Sequence, residues 1–358
     1  MHRPELPDKI RLMINLAIVG LGTWGQRHLR SARTSGRFDI NIAVDPVAER
    51  AGLVADENGL ELRASLDEVL SDPAIDAISL ATPHTLHTDQ IVAAAAAGKH
   101  VYTEKPFALN ASDARRAVVA AEEAGIIVGL GHDQRHYPVI TRLKEMIDGG
   151  DFGEVLTVET TLSHLSLLQP YRDLFAGEGE TYARGWRLSD AEAPAGPISQ
   201  FGLHRIDIFI HLLGEIEWVF AAGSNKAISP SFTDTVSATF GFRNGVTGTL
   251  GNSLATPLYN RLQVFGTDIW AESTGPETFE EYRECSLVDL VVFSGEDTDF
   301  QGFEIVDSVE KNFGSFADAI EGKAPFIIPL SQMVNTIEVV DALQKSLETG
   351  QRVTVGEA

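Results

Sequence analysis

The chain has 358 residues, 44% of them hydrophobic, and carries 28 Lys and Arg against 51 Asp and Glu, a net charge of −23. That length exceeds what one hydrophobic core usually serves, so two domains are expected, and acidity without a basic stripe opposes phosphate backbones and argues against a nucleic-acid partner. No run approaches the roughly 18 apolar residues that span a bilayer, the N-terminus lacks the apolar centre of a secretion signal, and the single Cys285 cannot form an internal disulfide, so a cytoplasmic protein without membrane contact is expected.

Residues 1–12 read as a flexible tail ahead of Met13. The first strand is expected at 14–19, followed by Gly20-Leu21-Gly22-Thr23-Trp24-Gly25 and a helix at 24–35. Strand, glycine turn and helix in that order suit a dinucleotide: the glycines let the backbone pass beneath a pyrophosphate, and the helix N-terminus offers free N–H groups to an anion. The motif alone is a weak signal. A second strand at 40–44 ends on Asp45, 20 residues past Gly25, where a ribose-binding carboxylate is expected. A carboxylate there repels a 2′-phosphate and Pro46 follows it, so NAD is favoured over NADP. The alternative is that Asp45 merely caps the loop before Pro46.

Strands and helices continue to alternate: helices at 47–58 and 66–71, strand 76–81, helix 87–98, strand 100–103, helix 111–124 and strand 126–130. This rhythm gives an α/β fold whose N-terminal domain, 13–131, is a Rossmann-type, doubly wound parallel sheet. Beyond residue 150 the chain turns β-rich, with runs at 153–163, 216–223, 234–242, 246–254, 260–272 and 284–293, and with helices at 138–148, 201–213, 312–321 and 331–348. Arg243-Asn244-Gly245 is a hairpin signal, because Asn-Gly accepts positive φ. A C-terminal α/β domain over 132–358, with an open, mostly antiparallel sheet, is expected to bind substrate and support oligomers.

Candidate site residues follow from position. Thr82, Pro83, His84 and His87 lie just past the strand at 76–81, at the edge where ligands sit in open α/β sheets. His84 and His87 also read as polar residues starting a helix, and without a third ligand they are poor evidence for zinc, so no metal is expected. The strand at 100–103 ends in Glu104-Lys105-Pro106. A lysine held at that edge points its charge into the same crevice and can stabilise an alkoxide, although the tripeptide alone is an ordinary polar turn.

Taken in order, GLGTWGQRH (20–28), ATPHTLH (81–87), AGKHVYTEKP (97–106), DFGEV (151–155), GWRL (185–188) and GLHRIDIFIHLLGE (202–215) resemble the Gfo/Idh/MocA family of NAD(P)-dependent oxidoreductases. The resemblance implies hydroxyl/carbonyl chemistry on a sugar, inositol or related polyol, with Lys105 beside nicotinamide and substrate. It also implies a homodimer or homotetramer built on the open sheet. Ser199 to Asp207 resembles the family's D-x-G-x-H-x-x-D signature, with Gln200 in place of the first aspartate. His204 then serves as proton acceptor, Asp207 one turn on is placed to orient it, and Gln200 can bond a sugar hydroxyl but holds no negative charge. Lys105, His204 and Gln200 are the expected catalytic group. Gln134 and Arg135 are expected at the substrate cleft; Trp186 is expected there too, or as a buried loop anchor, and Arg187 is expected on the nicotinamide side. Two other activities fit the same residues: a glycoside-cleaving enzyme that oxidises its sugar transiently, and a non-catalytic NAD- and sugar-sensing protein.

Overall fold

Six short strands form the first sheet in the computed structural model, which describes residues 13–163, 192, 195–227, 233–275 and 286–357. The strands are β1 (Ile14–Val19), β2 (Phe38–Val44), β3 (Glu61–Arg63), β4 (Ala77–Leu80), β5 (His100–Thr103) and β6 (Val128–Leu130). All pair in parallel, in the order β3-β2-β1-β4-β5-β6. Leu16 to Val19 are no more than 3% exposed, as central strands covered on both faces require. The helices between them are α1 (Thr23–Thr34), α2 (Ala48–Asn58), α3 (Leu66–Leu70), α4 (His87–Ala96) and α5 (Ala111–Ala124). Strand order reverses between β1 and β4, and a ligand crevice opens outside the carboxyl ends of strands at such a point.

The second sheet has nine strands in the order β14-β13-β12-β11-β7-β10-β9-β8-β15. These are β7 (Val155–Ser163), β8 (Ile216–Ser224), β9 (Thr235–Phe242), β10 (Thr247–Ser253), β11 (Tyr259–Gly266), β12 (Trp270–Thr274), β13 (Asp289–Phe293), β14 (Thr298–Gly302) and β15 (Val353–Thr354). Only β7 and β10 pair in parallel; the sheet is otherwise antiparallel. Alternation sorts its side chains. Val158, Val236, Phe240, Leu250 and Leu262 are buried in one core with residues of α6 (Pro138–Asp148), α7 (Leu203–Leu213) and α9 (Leu330–Thr349). Their neighbours Thr157, Glu159, Thr161, Thr249 and Gln263 stay partly or fully exposed on the other face.

The first core is not confined to the first 131 residues. Val309, Phe313, Phe316 and Met333, from α8 (Ser308–Ile320) and α9, belong to it, with Phe313 stacked on Tyr102 at 4.1 Å between ring centroids. Asp307 caps α8 by accepting from the Glu310 N–H, a signal that places the helix start four residues before the expected 312. The run read as one strand at 260–272 is two, because Gly266 to Ile269 turns back on itself, closed by the Gly266 N–H to Ile269 carbonyl bond at 2.9 Å. The short edge strands β3, β14 and β15 were not among the expected elements; they have few buried apolar positions from which a period could be read. Trp186, Arg187 and Cys285, the tail 1–12 and most of the expected loop at 169–198 lie outside the described residues. Among the described residues, no helix is long and apolar enough to cross a membrane.

Candidate active site

The glycine turn shows what each of its glycines is for. Gly20 has φ of +93°, and a Cβ there would lie 2.6 Å from the Ala81 carbonyl oxygen. At Gly25 a Cβ would meet the Gly20 carbonyl oxygen at 1.8 Å. Those two let β1, β4 and α1 close up. Gly22 is different: a Cβ built there has nothing within 4 Å, so its backbone borders open space at the helix N-terminus, which carries no side-chain cap. That is the cradle a pyrophosphate requires, and the residues present fit a dinucleotide.

Asp45 is buried beside this turn. One carboxylate oxygen accepts the Leu21 N–H and the other the Val47 N–H, each at 2.8 Å. The loop-capping role and the position beside the cradle therefore coexist. Thr23 is exposed and Trp24 packs against the first core. In the β4 to α4 turn, His87 is fully buried between the carbonyl oxygens of Pro106, at 2.8 Å, and Thr82, at 3.1 Å. It ties two crossovers together rather than facing a ligand, a correction to its expected cofactor role that follows from burial. Thr82 donates to the Gln90 side chain at 2.6 Å, and Pro83 is exposed. His84 donates to the Glu192 carbonyl at 2.9 Å, and Thr85 to its carboxylate at 2.8 Å, so this turn holds the segment that returns from the second half of the chain.

Glu104 is buried and accepts from His28 at 2.8 Å, while the other ring nitrogen of His28 pairs with Ser79 at 2.8 Å. Burial raises the Glu104 pKa, but the His28 bond and the charges of His28 and Lys105 outweigh it and hold the carboxyl below its usual range. A Cβ at Gly131 would lie 2.8 Å from the carboxylate, so a side chain there would push Glu104 out of this position. Glu104 thus stays ionised behind Lys105.

Lys105, at the end of β5, reaches the other half of the molecule. Its Nζ donates to the main-chain carbonyl of Gln200 at 2.8 Å and lies 5.9 Å from the Phe201 ring centroid. The carbonyl is presented by a wide, π-type turn at Ile198–Gly202, which delays the start of α7 to Leu203, two residues after the expected start. Lys105, Gln200 and His204 are therefore gathered at one place, as expected. The Gln200 contribution that the fold shows toward Lys105 is its backbone.

Two expectations are corrected. Asp207 does not orient His204: both its oxygens accept from Arg135, at 2.9 Å from Nε and 2.7 Å from Nη2. Arg135 is 1% exposed and also donates to Gln332 at 2.7 Å, so it is spent inside the protein and not offered to a substrate. Gln134 accepts from Arg205 at 3.1 Å. The Arg135–Asp207 pair has a geometric effect that spacing alone did not reveal. His132 precedes Arg135 by three residues and His204 precedes Asp207 by three, and the two imidazoles meet edge to face with centroids 5.5 Å apart. His132 was missed; its signal was its place directly after β6, at the same sheet edge.

Burial and the charges of Lys105, His132 and Arg205 press the His204 pKa well below the usual imidazole value, so the ring is neutral at pH 7. Burial likewise pushes His132, His136 and His211 down to about 4. In the unfolded chain these three titrate near 6.5, so between that pH and 4 the unfolded state binds more protons. The stability they contribute is complete above pH 6.5 and lost as pH falls toward 4. Asp133, pushed up to about 6 by burial, acts oppositely and costs stability above that pH. With these three histidines and His204 lowered against the raised Asp133, the melting temperature should fall from pH 7 to pH 4.5 by calorimetry, on the order of a few kcal/mol of lost stability; an unchanged or rising value would contradict these burials.

Comparison with known proteins agrees with this geometry. Residues 14–132 match the oxidoreductase family with NAD-binding Rossmann fold, and residues 140–272 match the GFO/IDH/MocA C-terminal domain. The chain is 31% identical over 255 residues to 1,5-anhydro-D-fructose reductase of Ensifer adhaerens, covering 70% of this chain and 73% of that one. It is 27% identical over 365 residues to scyllo-inositol 2-dehydrogenase (NAD(+)) of Bacillus subtilis, covering 95% and 96%. A structure of levoglucosan dehydrogenase with NADH and levoglucosan superposes with a TM-score of 0.82 at 20% identity, over 97% of this chain and 100% of that one. With a glycine cradle fit for NAD at one sheet edge and both halves matched in order, the chain belongs to the Gfo/Idh/MocA family of NAD(P)-dependent oxidoreductases.

Proposed function

We propose that the protein interconverts a hydroxyl and a carbonyl on a sugar, inositol or related polyol. The observation that carries this reading is the convergence of Lys105 from the first sheet with Gln200 and His204 from the second half, fixed by the 2.8 Å bond from Lys105 to the Gln200 carbonyl. NAD, held over the Gly20–Gly25 turn, supplies the hydride acceptor or donor. Lys105 places a positive charge where negative charge develops on the reacting oxygen, and ionised Glu104 behind it balances that charge. Neutral His204 takes the hydroxyl proton in oxidation and returns one in reduction. A rise in oxidation rate governed by this imidazole should lie on the acid side of pH 6.5, and His204→Ala should remove it.

The test is absorbance at the reduced-nicotinamide band with a panel of sugars, polyols and glycosides. Stoichiometric NADH with an oxidised product supports the reading. Glycoside cleavage with no net NADH marks transient oxidation and elimination instead, and tight cofactor binding without turnover in either direction marks a sensor.

Preference for NAD over NADP rests on Asp45, whose carboxylate opposes a 2′-phosphate. Asp45→Ala should narrow the ratio of NAD to NADP affinities. Because that carboxylate also accepts two backbone N–H groups, the variant should lose about 1.5–3 kcal/mol per bond in a urea melt. Equal affinities in the unmodified protein would refute the preference. Self-association is read from the sheet face around Thr157, Thr161 and Thr249, which is partly exposed among the described residues, and sedimentation measures it.

A further inference from the structure

Among the described residues, three polar atoms at the centre of the site have no hydrogen-bond partner: both ring nitrogens of His132 and Nδ1 of His204. Leaving a buried polar group unpaired costs roughly 1–3 kcal/mol, so a native fold that keeps three together has a use for them. The rings are 5.5 Å apart at 84°, in direct contact. They are also held there. His132 sits on the turn fixed by Arg135, His204 on the helix fixed by Asp207, and those two residues share a buried bidentate ion pair.

The charges around the two rings differ in sign. Lys105 and Arg205 are the charged side chains that bear most on His204. His132 faces Asp207 and Glu104 as well as Arg135 and Lys105, with Asp207 the strongest of the four. Among the described residues, a proton on His204 faces the cations Lys105 and Arg205, whereas the same proton on His132 faces the carboxylates of Asp207 and Glu104 together with the cations Arg135 and Lys105.

We propose that His132 and His204 form a two-imidazole proton relay, in which the proton taken by His204 from the substrate hydroxyl passes on to His132. The inference rests on the oxidoreductase reading above. In oxidation the substrate O–H bond breaks and an N–H bond forms on one nitrogen of His204. An imidazole protonated at one nitrogen can release the proton from the other. The two rings share no direct hydrogen bond, so the proton crosses on a water that fills the unpaired positions between them: the His204 N–H bond breaks, an N–H bond forms on neutral His132, and His204 is neutral again while the product is still bound. The proton leaves His132 for solvent after product departs, and the sequence runs backwards in reduction. No redox partner is consumed in the relay itself. His132 acts through His204 and is a positioning residue in that sense.

Two measurements test the relay. The first needs no substrate: nitrogen-15 NMR of the histidine rings on acidification from pH 8 should show the first proton of the pair landing on His132, and protonation of His204 ahead of His132 would overturn the proposal. The second uses His132→Phe, which keeps an aromatic ring against His204. Its kcat should fall about 10- to 100-fold, below the full general-base contribution because His204 remains. KM and NAD affinity should stay within about twofold, the solvent isotope effect should grow, and free imidazole should restore rate to His132→Ala. An unchanged kcat, pH profile and isotope effect in His132→Phe would overturn the relay, and the NMR order decides if neither variant folds. His204→Asn run alongside separates the two readings: full turnover in it removes His204 as base and the relay with it, whereas lost turnover in it with a normal His132→Phe removes the relay alone.

Discussion

Lys105→Ala is expected to lower kcat by about 10² or more while NAD affinity, followed by quenching of tryptophan fluorescence, changes far less. The argument is positional. Lys105 leaves the end of β5 with its Nζ bonded to the Gln200 carbonyl and flanked by the Phe201 ring. An ammonium so placed is aimed by the fold and pays little to reorient when charge develops on a nearby oxygen. Removing it also deletes a hydrogen bond between the two halves, worth on the order of 1 kcal/mol, which a melt would register separately from the rate. Full activity in this variant would show that the convergence at the sheet edge does not carry the chemistry. A large loss of cofactor affinity with unchanged kcat would assign Lys105 to binding alone.

The second large effect concerns two glycines three residues apart. Gly25→Ala places a methyl 1.8 Å from the Gly20 carbonyl oxygen, a backbone atom that cannot swing aside. Overpacking ordinarily costs about 1–3 kcal/mol and occasionally more, and a backbone clash at the hub of the turn belongs at the upper end. Gly22→Ala meets nothing within 4 Å, so stability should be nearly unchanged. Its methyl instead fills the space where a pyrophosphate comes close to the backbone, and NAD affinity should fall by about tenfold or more, equivalent to at least ~1.4 kcal/mol. Thermal melts and NAD titrations of both variants separate the effects. A Gly22→Ala protein that binds NAD normally would mean the turn is not the cradle.

The parts of the fold legible in the sequence were those with a strong local period. The strand at 14–19 and the helix at 111–124 are found at the residues expected, because aliphatic runs and an Asn110 cap bounded by Gly125 define them within one segment. The gathering of Lys105, Gln200 and His204 was also legible, since motif order places them at one edge. What each residue does there was not. Arg135 looked like a substrate contact because its spacing puts it at the cleft, yet its partner Asp207 lies 72 residues away, and no local pattern announces a buried ion pair. Gln200 drew attention by its missing charge, whereas the contact seen with Lys105 comes from a carbonyl that any residue would supply. His132 carried no pattern of its own. Its significance comes from the ring it touches.

The return of α8 and α9 to the first core bears on how the protein comes to be folded as it is made. Phe313 and Phe316 stack against Tyr102 and Phe38, and Met333 and Ile337 close the same cluster. A chain emerging from the ribosome therefore presents the NAD-binding half first but completes its interior last, after residue 337 is available. Until then the aromatic face beside β2 and β5 waits uncovered. The nucleotide-binding segment is on these grounds not a detachable module: its final wall comes from residues 309–337, about 180 positions after its last strand.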